Sequence, residues 1–262
     1  MKRRAALWAT VGLGTGLILP QRVWSQGRPA GGRVLVGAAA SLQEVLTSLT
    51  PLVRQTYPKL TVDYTFAASG PLQRQIEQGA PIDLFVSAAM RQMEALATQK
   101  LIVPSSQRIL ATNRLVLVAP RSGTLRLTHF QDLARPAVDR VAMGDPRTVP
   151  AGQYAEETLR SLKLWEAVQP KLILGNSVRA VLAAVASGEV SAGLVYETDA
   201  RTSNRVRVVA TADPKLHSPI VYPAALVTAT RNRSAAQAVL DFWGSSVARR
   251  TFIQFGFGLP PQ

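Results

Sequence analysis

The chain of 262 residues has no cysteine and only two histidines, His129 and His217. The first absence excludes disulfides, thiolate zinc sites, iron–sulfur ligation, a cysteine nucleophile and a lipid-bearing cysteine. The second excludes a histidine-rich metal site and leaves few general bases. Acidic residues are also scarce, 16 against 30 lysines and arginines. Aromatics make up 6% of the chain and charged residues 18%. Beyond the N-terminus no stretch is long and apolar enough to cross a membrane. What is present is a 47% hydrophobic composition, enough to build a sizeable globular core of one or two domains.

The N-terminus reads as an export signal over residues 1–25. Lys2, Arg3 and Arg4 precede a short, glycine-interrupted apolar run at 5–19; Pro20 ends it and Val23-Trp24-Ser25 offers a cleavage site. Arg3-Arg4 leaves both the general secretory and the twin-arginine routes open. With no cysteine to carry a lipid, the exported product is expected to float free in a periplasm. Cleavage after Ser25 removes four of the net 14 positive charges. The remaining basic residues are scattered, with no long basic run and no basic helix interleaved with aromatics, so no nucleic-acid partner is expected.

Short β-branched stretches alternate with helical spacings along the chain. Residues 33–37, 60–66, 83–86, 115–119, 140–143, 171–174, 193–196, 206–210 and 220–228 read as strands. Residues 42–57, 72–78, 89–98, 153–162, 178–186, 234–243 and 246–255 read as helices. That alternation predicts an α/β protein built on parallel sheets with helices on both faces, binding ligands where strands end and helices begin. Four such junctions share one chemistry. Ala38-Ala39-Ala40-Ser41-Leu42-Gln43-Glu44 predicts a capping box from Ser41 to Glu44, and Ala67-Ala68-Ser69-Gly70-Pro71 a second serine cap. A proline-stiffened loop delivers Ala151 and Gly152 to a helix start, and Ser177 caps a helix beginning at Val178. A helix N-terminus exposes unpaired N–H groups and the positive end of a dipole. Small residues before it admit an anion to the backbone.

The segments V-G-A-A-A-S-L, F-A-A-S-G-P-L-x-R-Q-I-E-x-G-A-P-I-D-L-F-V-S-A, G-D-P-x-x-V-P-A-G-Q-Y-A and G-L-V-Y-E-T-D-A occur in this order. Together they resemble the periplasmic molybdate-binding proteins of ABC-type molybdate importers, from about residue 33 to the C-terminal F-G-F. The resemblance implies a two-lobed periplasmic-binding-protein fold (type II) with two strands crossing between the lobes. It places residues 31–113 and 223–262 in one lobe and 114–222 in the other. It implies molybdate or tungstate as ligand, held by neutral donors: backbone N–H and hydroxyl of Ser41 and Ser69, backbone N–H of Ala151 and Val178, and the hydroxyl of Tyr196. No protein atom would touch the metal, and no cofactor is implied. The partner would be a membrane permease driven by an ATPase, and the protein itself a monomer.

A donor-only site favours a fully deprotonated oxyanion, because monohydrogen phosphate carries a proton that needs an acceptor. Sulfate is rejected only by cavity size. Asp83 and Asp145 read as loop-structuring carboxylates, and Arg147 and Arg179 as solvent-facing. A serine hydrolase would need a base beside Ser41 or Ser69, and no G-x-S-x-G elbow occurs. A regulator's effector domain is contradicted by the export signal.

Overall fold

A computed structural model describes residues 31–260. The expected signal segment lies outside the described residues. The chain runs β1 (Gly32–Ala39), α1 (Gln43–Thr56), β2 (Leu60–Ala67), α2 (Ser69–Glu77), β3 (Leu84–Val86), α3 (Met90–Thr98), β4 (Arg108–Thr112) and β5 (Leu115–Pro120). It continues through β6 (Val141–Gly144), α4 (Pro150–Ser161), α5 (Trp165–Val168), β7 (Leu172–Gly175), α6 (Val178–Ser187), β8 (Ala192–Tyr196), α7 (Glu197–Arg201) and β9 (Val206–Thr211). It closes with β10 (Val221–Leu226), α8 (Arg233–Trp243) and α9 (Ser246–Gln254).

Two five-stranded sheets result, ordered β2-β1-β3-β10-β4 and β7-β6-β8-β5-β9. In the first, Val34, Val36 and Ala38 of β1 face Leu42, Leu46 and Leu49 around the start of α1, all fully buried. The opposite face packs Leu72 and Ile76 of α2 and Met93 and Leu96 of α3 against Phe85 and Ala225. In the second sheet β5 is buried along its whole length between β8 and β9.

The sheets are mixed, where the alternating pattern predicts parallel ones. β10 pairs antiparallel with β3 and β4, and β5 antiparallel with β8 and β9. The reason is connectivity: a parallel neighbour needs a crossover element, and β10 returns from the second sheet with only a short 3-10 turn, Pro214–Leu216, before it. β4 is a strand the sequence pattern does not announce, since only Leu110 and Ala111 in it are buried. The chain passes between sheets at Asn113-Arg114 and again before Val221, so Val221 and Tyr222 belong to the first sheet.

Candidate functional site

The N-termini of α2, α4 and α6, together with the 3-10 turn Ala40–Leu42 that leads into α1, meet at one small cavity between the two sheets. Its volume is about 10 Å³, and it is lined by Ser41, Ser69, Ala151, Val178 and Tyr196 with Ala39, Ala40, Ala68, Ala88, Val149 and Pro150. All five residues expected from the sequence are therefore brought together, although they span residues 41 to 196. No charged side chain lines the cavity. That volume is about what one water molecule needs, so the cavity as it stands excludes a sugar or a peptide.

Local sequence explains why backbone donors face this space. Ser69 and Val178 are the first residues of α2 and α6, and Ala151 is the second of α4, after Pro150. First-turn N–H groups have no acceptor inside their own helix. Gly152 lets α4 sit against the end of β6, since a Cβ there would lie 2.0 Å from the Gly144 carbonyl oxygen. Gly70 does the same across the sheets: its N–H donates to the Thr148 carbonyl at 3.0 Å, and a Cβ would meet that oxygen at 2.5 Å.

The serines do not cap their helices in the expected way. Ser41 lies inside the 3-10 turn Ala40–Leu42, α1 begins two residues later, and neither Ser41 nor Glu44 makes the capping-box bonds. Ser41 Oγ instead lies 3.1 Å from Tyr222 Oη. Ser69 is a first-turn residue behind Ala68, and its Oγ accepts from the Ala88 N–H at 3.0 Å. Ser177 caps α6 as expected, accepting from Ala180 N–H at 3.2 Å. The wall behind the cavity is a set of tyrosines, of which the family resemblance assigns a role to Tyr196 alone. Tyr154 donates to the Ala88 carbonyl at 3.3 Å, and the Tyr196 ring lies 6.4 Å from that of Tyr154 and 6.0 Å from that of Tyr222. Burial pushes the ionisation of all three phenols upward, so they stay neutral.

The charged groups near the cavity are committed elsewhere. Arg147 reaches solvent and pairs with Asp145 at 2.8 Å. Arg179 is only partly exposed and is engaged across the two halves. It forms a bidentate pair with Glu44, with Nη1 donating to Oε1 at 2.9 Å, and its Nε lies 2.7 Å from Asp199 Oδ1. Glu44 stands on the first-sheet side and Arg179 and Asp199 on the second, so the trio bridges the two halves. Asp199 is fully buried; burial, opposed by Arg179 and reinforced by Glu44, pushes its carboxyl up to about 7. Asp83 is structural, accepting from the Leu35 N–H at 2.9 Å and from Thr230. His129 hydrogen-bonds Thr128, and His217 the Ser218 carbonyl, so neither serves a cavity serine as base. Among the described residues no cluster of histidine and acidic side chains could hold a metal ion.

Two sheet-centred halves with an uncharged, donor-rich cavity between them define the class of solute-binding proteins that close on a small ligand. A profile of the bacterial extracellular solute-binding protein family matches residues 34–258, and the chain belongs to that family. It is 36% identical over 234 residues to the molybdate-binding protein ModA of Haemophilus influenzae, covering 87% of this chain and 91% of that one. It is 38% identical over 222 residues to a putative ABC transporter substrate-binding lipoprotein, YvgL, of Bacillus subtilis, covering 85% of each. Among solved structures it matches the substrate-binding domain of a putative molybdenum ABC transporter from Clostridium difficile. That match has a TM-score of 0.69 and 35% identity, over 87% of this chain and 99% of that one. The fold is shared with the periplasmic molybdate-binding protein of Azotobacter vinelandii at a TM-score of 0.78 and 23% identity, over 87% of this chain and all of that one. This is a family of binding proteins and not of enzymes, working outside the cytoplasm with a membrane permease and its ATPase.

Proposed function

We propose that this protein captures molybdate or tungstate in the periplasm and hands it to an ABC-type importer. The observation that carries the reading is a cavity of about 10 Å³ walled only by neutral groups, with helix N-termini from both sheets opening onto it. In this reading the anion takes the backbone N–H and hydroxyl of Ser41 and of Ser69, the N–H of Ala151 and of Val178, and the Tyr196 hydroxyl. Charge-assisted bonds to preorganised dipoles stabilise a dianion without any cationic side chain. A proton-bearing anion finds no dedicated acceptor.

The two lobes rotate about the segments that cross at Asn113-Arg114 and just before Val221, a boundary that assigns Val221 and Tyr222 to the lobe of 31–113 and 223–262 and not to the expected 114–222 lobe. Closure is favoured because donors from both lobes share one ligand. The protein acts as a monomer, exported by the signal in residues 1–25 through the secretory or twin-arginine route. The relatives named for molybdate support this reading, as do the neutral lining and the small size of the cavity. Thermal-shift measurements with a panel of oxyanions test it. Molybdate and tungstate should raise the melting temperature while sulfate and phosphate leave it unchanged. A shift by sulfate alone would replace molybdate with sulfate in the account.

A further inference from the structure

We propose that Asn113 and Tyr222 are positioning residues that lock the Ser41 hydroxyl as a donor into the cavity, and so set its preference for fully deprotonated oxyanions. The inference rests on the reading of the cavity as an oxyanion site.

The chain of hydrogen bonds starts from a group whose polarity is fixed. The Arg114 backbone N–H can only donate, and it does so to Asn113 Oδ1 at 2.9 Å. That bond orients the amide. Asn113 Nδ2 is left to donate to Tyr222 Oη at 3.0 Å and to Thr198 Oγ1 at 2.8 Å. Tyr222 therefore accepts from Asn113 and has one proton left to give. It is fully buried, and its hydroxyl lies 3.1 Å from Ser41 Oγ. Tyr222 donates there, Ser41 Oγ accepts, and the Ser41 proton is turned away from Tyr222 toward the cavity that Ser41 lines. Flipping the Asn113 amide would leave the Arg114 N–H facing another donor, and reversing the Ser41–Tyr222 bond would leave the buried Tyr222 proton without an acceptor among the described residues.

Ser69 reaches the same polarity from a second backbone group, since its Oγ accepts from the Ala88 N–H at 3.0 Å. Both serine hydroxyls are thus held as donors from behind. A fully deprotonated oxyanion accepts from both. Hydrogen phosphate or hydrogen arsenate must place its own proton, and a serine that takes it on its second lone pair must turn its own proton away from the anion and lose a donor bond. Asn113 lies between β4 and β5 and Tyr222 lies on β10, so the polarity of the site is set by residues of the strands that join the two sheets.

Calorimetry with molybdate and with hydrogen phosphate at pH 8, on the wild type, Tyr222→Phe and Asn113→Asp, tests the proposal, with ligand-free melting curves alongside. Tyr222→Phe frees a lone pair on Ser41. Molybdate should weaken by about 5-fold and hydrogen phosphate tighten, narrowing the affinity ratio by about tenfold or more. Asn113→Asp keeps the Arg114 contact but accepts the Tyr222 proton, reversing the chain. Molybdate should weaken there by about tenfold or more with the fold retained. A merely structural role predicts parallel losses for both anions and a lower melting temperature. That result, or an unchanged ratio in Tyr222→Phe together with unchanged molybdate affinity in Asn113→Asp, overturns the inference alone. A wild type that does not bind molybdate overturns the functional reading and this inference with it.

Discussion

A hydroxyl can donate or accept, so what a serine or tyrosine offers a ligand depends on its other partner. Ser69 is held by the Ala88 N–H, Ser41 by Tyr222, and the Ala88 carbonyl already receives Tyr154, leaving the Tyr196 hydroxyl only a long 3.5 Å contact to that oxygen. Tyr196→Phe should therefore cost about 1–2 kcal/mol of molybdate binding, read by calorimetry, with little change in ligand-free stability. Ser69→Asp should abolish binding by repulsion, since the new carboxylate would sit in a fully buried position beside a dianion. Molybdate affinity surviving in that variant would remove Ser69 from the site. At this scale Ser41, Ser69, Ala151 and Val178 stand at small-residue helix starts legible in the sequence, while Tyr196 and the donor roles of all five came from the family resemblance. The roles of Tyr154, Tyr222 and Asn113 behind the cavity were not legible. Tyr222 meets Ser41 across 181 residues and Asn113 across 109, separations that leave no local pattern.

The elements follow from periodicity, because a buried face repeats along the chain regardless of its distant partners. The strand at 115–119 and the helix carrying Met93 and Leu96 were legible for that reason. β4 was not, with two buried residues and polar flanks, and the capping box at Ser41 failed because a 3-10 turn intervenes before α1. Local capping chemistry gave way to the tertiary bonds that Ser41 and Glu44 make instead. Helix placement has its own test. Gly70 presses the start of α2 against Thr148 from the other half, with no room for a Cβ. Gly70→Ala should hinder closure, weakening molybdate by about 1–3 kcal/mol while the ligand-free melting temperature holds. An unchanged affinity would mean that this contact is not part of closure.

At the scale of the molecule, the two halves are tied by the Glu44–Arg179–Asp199 trio, by Gly70 on Thr148, and by Arg91, which donates to the Pro146 carbonyl at 2.8 Å. Arg179 and Glu44 are both partly exposed, so the bridge is discounted for solvent. Glu44→Gln should weaken molybdate binding by about 1 kcal/mol, measured by calorimetry at low and at moderate salt. Asp199 gives a pH signature. Its carboxyl rises from an ordinary 3.8 to about 7 in the folded chain, which therefore holds this proton more tightly than the unfolded chain does. The stability from this group is complete below about pH 4 and is lost as pH rises through about 7. Melting curves of the wild type and Asp199→Asn between pH 5 and 8 should show the wild type losing ground as pH rises. Parallel curves would contradict the assignment.

The central claim is that uncharged N–H and O–H groups from two halves enclose a dianion unaided by any cation, and a crystal structure with molybdate bound tests it most directly. The account predicts anion oxygens at about 2.7–3.1 Å from donors of Ser41, Ser69, Ala151, Val178 and Tyr196, with Arg147 on Asp145 and Arg179 on Glu44 and Asp199. An arginine or lysine side chain on the anion, or the anion seated away from those five residues, would contradict it.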